Sequence, residues 1–171
     1  MAFNTPSGQT IAREKLKLYL NTGTGTTAVW SVLGKRVEDS SMELDWSDET
    51  TQDILGNTYS QMKKPVITQS FDPYLLDSED AAIYKIWDLA IKNQDAQALA
   101  NMDLLLVHFY EGTEESPFAE RYPSSMIMPT GLGGEGGGNI EMPLDVTFGG
   151  ARVTGTASIN TSGVVTFTPA A

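Results

Sequence analysis

The sequence predicts a mainly β fold (α+β): a β-sandwich or barrel with one flanking α-helix and long extended loops. Three observations carry that prediction. Apolar residues alternate with polar ones in stretch after stretch, the period of strands that bury one face. Only residues 77–93 space a sustained apolar stripe as a helix does. The 171 residues suffice to close a core without staples, and there is no cysteine to make one.

Each element follows from its residues. From Lys15 to Leu20, the side chains of Leu16, Leu18 and Leu20 share one strand face, and Lys15, Lys17 and Tyr19 the other. Residues 27–33 (TAVWSVL) are β-prone and apolar on both faces. Met42, Leu44 and Trp46 alternate with Glu43 and Asp45, which predicts a strand buried on one side, and Pro65 to Phe71 reads as its partner. On this periodicity Trp30, Trp46 and Trp87 all read as core.

The helix has a cap at Asp77 or Ser78, with Glu79 and Asp80 in the first turn, where the helix dipole favours acids. Its stripe is Ile83, Ile86, Trp87, Ala90 and Ile91, and Asp88 and Lys92 form an i,i+4 pair. A second short turn is expected around Asp95–Leu99, and Met102–Tyr110 returns to strand. The Gly- and Pro-rich tract 112–138 reads as one long loop. Ile140, Met142, Leu144, Val146 and Phe148 then alternate with polar neighbours. Pro143 cannot donate to a ladder, which places that strand at an edge or a bulge. Two last strands, 153–159 and 164–168, join through Asn160-Thr161-Ser162-Gly163, which is hairpin-turn chemistry. Residues 1–171 read as a single domain with an N-terminal arm over 1–13.

Charge narrows the function. The chain carries 22 acidic against 11 basic residues, a net −11, so it lacks the clustered cations that nucleic-acid wrapping needs. Arg13, Lys15, Lys17, Lys35 and Arg36 crowd the first 36 residues against Glu14 alone. Glu38, Asp39, Glu43, Asp45, Asp48, Glu49 and Asp53 follow, with no Lys or Arg between Val37 and Met62. Two readings stay open. The acids form a solvated face, or the basic segment (Arg13, Lys15, Lys17) docks on the acidic patch of a neighbouring copy. The longest purely apolar run, Leu104 to Val107, is far below the ~20 residues of a membrane span, so no membrane binding is expected. The first 20 residues hold no continuous apolar stretch of the signal-peptide kind.

Catalytic patterns are missing. Gly131-Leu132-Gly133-Gly134-Glu135-Gly136 fits G-x-G-x-x-G, but Pro129 precedes it and Gly137-Gly138-Asn139 stands where a helix must begin, so it reads as loop. His108, the one histidine, lies on the strand face of Leu104 and Leu106 and reads as satisfied within a sheet. Asp77–Asp80 is better used as a cap than as a calcium loop, and Glu114-Glu115 lie in a loop with nothing to fix their separation. Neither enzyme nor cofactor is implied.

Residues 47–61 (SDETTQDILGNTYSQ) say more. They separate two partner strands yet are too long for a tight hairpin, and they enclose an apolar knuckle, Ile54-Leu55, before Gly56-Asn57. Either the knuckle folds back on its own core or it meets a partner surface.

In order and spacing the chain resembles the major tail tube proteins of long-tailed phages. The resemblance runs through REKLKLYL, AVWSVLGKRVE, the acidic loop with DETTQDILGNT, KKPVITQSFDPY, the helix, LLLVHFYEG and VTGTASINTSGVVTFTPA. The chain lacks the immunoglobulin-like C-terminal domain of some members, and its glycines at 131–138 depart from the family pattern. The resemblance implies hexameric rings stacked into a hollow virion tail tube. Double-stranded DNA passes through that tube unbound, and tape measure, terminator and distal tail proteins are partners. It implies inter-ring contacts by the 47–61 loop, with Asp48, Glu49, Asp53, Ile54, Leu55, Gly56 and Asn57, and bridging by the N-terminal arm. An acidic lumen would repel phosphates, and Glu43 and Asp45, opposite the Met42/Leu44/Trp46 face, are its first candidates. The inner tube of a contractile tail or injection system is the near alternative. A carbohydrate-binding β-sandwich is the alternative from another class, disfavoured by the expected burial of the three tryptophans.

Overall fold

The computed structural model describes residues 3–171, so Met1 and Ala2 of the arm lie outside the described residues. Its strands are β1 (Leu16–Asn21), β2 (Trp30–Leu33), β3 (Met42–Asp45), β4 (Glu49–Gln52), β5 (Thr58–Gln61), β6 (Val66–Phe71), β7 (Met102–Gly112), β8 (Pro117–Pro129), β9 (Leu144–Thr147), β10 (Val153–Ile159) and β11 (Val165–Pro169). Two short helices, α1 (Ala81–Trp87) and α2 (Ala96–Leu99), lie between β6 and β7. Nine strands run in the order β2-β1-β7-β8-β9-β6-β3, with β10 off β8 and β11 off β10. Every pairing is antiparallel. The expected sandwich with a flanking helix is the fold observed.

The sheet folds over on itself and packs Leu18, Leu20, Leu104 and Leu106 of one layer against Phe71, Leu144 and Val146 of the other. A smaller cluster covers the opposite face of the first layer, where β10 and β11 bring Ala157 and Val165 onto Tyr19, Leu105, Val107 and Ala119. The run Leu104–Val107 is therefore apolar at every position because both faces of β7 are buried. Tyr19 is buried for the same reason, against its reading as an outward residue beside Lys17.

β8 overturns the long loop expected at 112–138. Thirteen residues of it, Pro117–Pro129, form the longest strand, and the loop shrinks to a short turn over 113–116 and the stretch after Pro129. Its prolines stand where no ladder N–H is needed: first residue, last residue and a break in the middle. At that break the register against β7 shifts between Leu104–Tyr122 and Met102–Ser125, so that Pro123 and Ser124 together face Asp103 alone, one extra residue on β8. On the other side, β10 pairs with the first half of β8 and β9 with the second. Gly149 and Gly150 turn the corner between them. A Cβ on Gly149 would stand 2.6 Å from the Ser124 carbonyl oxygen, and Gly150 has φ +81°.

Pro143 also corrects its expectation. It precedes β9, which is paired on both sides rather than at an edge, and the ordered strand begins at Leu144. The Asn160–Gly163 turn forms as expected, with the Asn160 and Gly163 amides bonding to the Val164 and Asn160 carbonyls.

The helix cap is Asp80, not Asp77 or Ser78. The Asp80 carboxylate accepts from the Ala82 and Ile83 amides and from the Tyr74 hydroxyl at 2.9 Å. The Tyr74 hydroxyl in turn accepts from the Gly34 amide, so the buried ring ties β2's end to the helix start. Burial first, and then the Asp80 charge, push the Tyr74 phenol far above its ordinary value. Asp77 instead accepts from the Glu79 amide and pairs with Lys35 and Arg36. Ile83 and Ile86 enter the main core, while Trp87 is half-buried and Ile91 exposed. Past Trp87 the helix continues as a π-helical turn, Asp88–Lys92, with the expected Asp88–Lys92 pair at 3.4 Å, and Asp95 caps α2.

Candidate assembly surface

The 47–61 segment is a two-stranded hairpin, β4 paired with β5, and every strand residue in it is exposed. It leaves the main sheet at the Asp45–Val66 pair. The alternative in which the knuckle folds back on its own core is excluded, since Ile54 is 102% and Leu55 81% exposed. Asp53 builds the tip. Its carboxylate accepts from the Leu55 and Asn57 amides, the Asn57 side chain and the Tyr59 hydroxyl. Those bonds, the Asn57 side chain's foremost, hold its carboxyl below the ordinary range. Gly56 has φ +84°, the left-handed value such a turn requires. Glu49 accepts from Gln61 across the hairpin, and Asp48 is exposed at its root. The expected contact residues are thus brought together on one projection, though the charge of Asp53 is turned inward.

Glu43 and Asp45 lie two apart on β3, on one exposed face. The opposite face departs from expectation. Met42 is half-buried, but Leu44 is 50% and Trp46 46% exposed, so Trp46 is not core. The cause is position, because β3 is the last strand in the sheet order and has a partner on one side only among the described residues. Trp30 and Trp87 do pack against the two clusters, which leaves one exposed tryptophan rather than an aromatic platform. Of the basic residues, Arg13 donates to the Leu16 and Ser40 carbonyls, and the Lys17 ammonium sits 5.4 Å from the centre of the Phe109 ring. Lys15 closes a single 3-10 turn, Arg13–Lys15, and is half-buried. Asn4 in the arm bonds to the backbone at Phe109 and Tyr110, near the end of β7.

One polar cluster escaped the sequence reading. Glu120, 7% exposed, accepts from His108 Nε2 at 2.9 Å and pairs with the Arg152 guanidinium, while His108 Nδ1 meets the Tyr110 hydroxyl at 2.7 Å. Burial raises the Glu120 carboxyl, but the hydrogen bonds and charges of His108 and Arg152 outweigh it and hold the group below its ordinary range. His108 is satisfied within the sheet, as its position predicted. Glu120 was hidden because its strand read as loop. Among the described residues, no group of three or more His, Cys, Asp or Glu side chains is placed to hold a metal.

No family model matches the chain, and no curated protein matches it in sequence. Solved structures do. The chain is similar to the tube-terminating cap of the anti-feeding prophage, at 12% identity over 90% of this chain and 96% of that one, with a TM-score of 0.50. It is also similar to a chain from the sheath/tube terminator complex of an extracellular contractile injection system, at 10% identity over 86% and 98%, with a TM-score of 0.50. The likeness is one of fold: this chain shares the architecture of those two chains over most of its length.

Proposed function

We propose that the protein is a structural subunit of a phage tail tube or related injection system, which forms hexameric rings that stack into a channel for DNA. It works as a virion component, without catalysis, beside tape measure, terminator and distal tail proteins. The observation that carries this reading is the hairpin: a fully exposed projection with a rigid apolar tip has no use within one subunit and suits contact between subunits. The acidic balance supports it as well, since a like-charged wall lets duplex slide.

A second reading is that the chain ends a tube rather than repeating along it. The names of the two similar structures, a cap and a terminator, favour it. Negative-stain microscopy with sedimentation of the purified protein separates the readings. Long tubes mark a repeating subunit and single rings a terminator. A monodisperse monomer at high concentration overturns both.

A further inference from the structure

We infer that the hairpin tip of one copy docks on a second copy, in the groove between its helical segment and the C-terminal half of β8. This rests on the assembly proposed above and adds the surface that receives the tip. With the Asp53 carboxylate spent inside the turn, the tip presents Ile54, Leu55, Gly56 and Asn57, none of them charged. Because those bonds hold the tip in one shape, docking orders little that is not already ordered.

Charge selects the groove. Three other clefts carry charged groups in their lining: Arg13, Glu14, Lys17 and Glu38; Arg13, Lys64, Glu120 and Arg152; or Asp39, Glu43 and Asp72. An aliphatic tip entering any of these would strip water from ions that it cannot pair. The groove beside β8, about 580 Å³, has no charged side chain in its lining. Its walls include Ile91, Met126, Met128 and Leu132, each 39–48% exposed. Methionines adapt their shape to an incoming apolar group, and an exposed cluster of this kind is a surface for covering.

Position selects it too. The hairpin departs at the Asp45–Val66 pair, while the register Phe71–Leu144–Pro129 marks the opposite end of the same layer. The groove follows β8 from Met126, level with Thr68, past Pro129 to Leu132, so the socket runs to the end of the layer away from the hairpin. Such a contact is heterologous and repeats head to tail instead of closing a pair. One two-residue tip buries far less than the ~1,200 Å² of a stable pair, so the contact holds only when many copies in a ring engage together.

The chain's lack of cysteine makes the test direct. Leu55→Cys and Met128→Cys proteins, mixed as dissociated subunits, allowed to assemble and then treated with a short bis-maleimide, should cross-link to dimers. Leu55→Cys with Val164→Cys, exposed on the far hairpin, should not. Met128→Glu should lose stacking with its melting midpoint unchanged. If wild-type stacks form, yet the first pair cross-links no better than the control and Met128→Glu stacks normally, the groove is wrong and the assembly stands. If the wild type never sediments beyond a monomer, both fail.

Discussion

A carboxylate with 7% of its surface exposed is kept ionised at Glu120 because His108 and Arg152 reach it from β7 and from the β9–β10 corner. Folding lowers its pKa, so its contribution to stability is complete above the ordinary carboxylate range and is lost as pH falls through the lowered value. Urea denaturation from neutral pH down to pH ~3 should therefore show a steeper loss for the wild type than for Glu120→Gln, which has no such proton to take up. Equal slopes would mean the cluster adds nothing. At this scale the sequence was legible where local context decides. His108 sits in an apolar alternation and is satisfied there, and the Asn160–Gly163 turn closes by short-range bonds. Trp46 was illegible, because its period matches that of a core strand and only the sheet order reveals that β3 lies at the edge.

Helix α1 and the hairpin are elements with opposite energetics. Ile86 is fully buried in the main core, so Ile86→Ala should cost about 2–5 kcal/mol in urea-induced unfolding, more than Trp87→Ala despite tryptophan's larger ring. A smaller loss at Ile86 than at Trp87 would contradict this packing. Both hairpin strands are exposed, so replacing 48–62 with a short Gly/Ser turn should leave the unfolding stability within about 1 kcal/mol of the wild type, since closure entropy grows slowly with loop length. Stacks should vanish from sedimentation in the same variant. Element by element, the alternating strands were readable because each buries one face. β8 was not, since three prolines and a charged pair broke its pattern and tertiary pairing put every break where no N–H is wanted. The helix was found but begun too early, because Asp77 and Asp80 are equally good caps until Lys35 and Arg36 claim the first.

For the whole molecule, the excess of acids matters through repetition. Glu43 and Asp45 are exposed on one face of β3, and in the proposed ring they would repeat as a band of charge. If that face lines the channel, Glu43→Lys with Asp45→Lys should leave rings and stacks intact while DNA delivery by particles carrying it falls. Unchanged delivery would place the face outside the channel.

The strand shared by both layers has a thermodynamic consequence. β8 pairs with β7 and β10 through its first half and with β9 through its second, and the glycine corner at Gly149–Gly150 lets the two sets continue without a gap. Neither layer can melt without withdrawing half the pairing of the strand that the other needs. Heat should therefore remove both in a single calorimetric transition, with van't Hoff and calorimetric enthalpies equal for the dissociated subunit. The hairpin, outside that coupled unit, should exchange its amide hydrogens long before the rest and without slowing the rest's return.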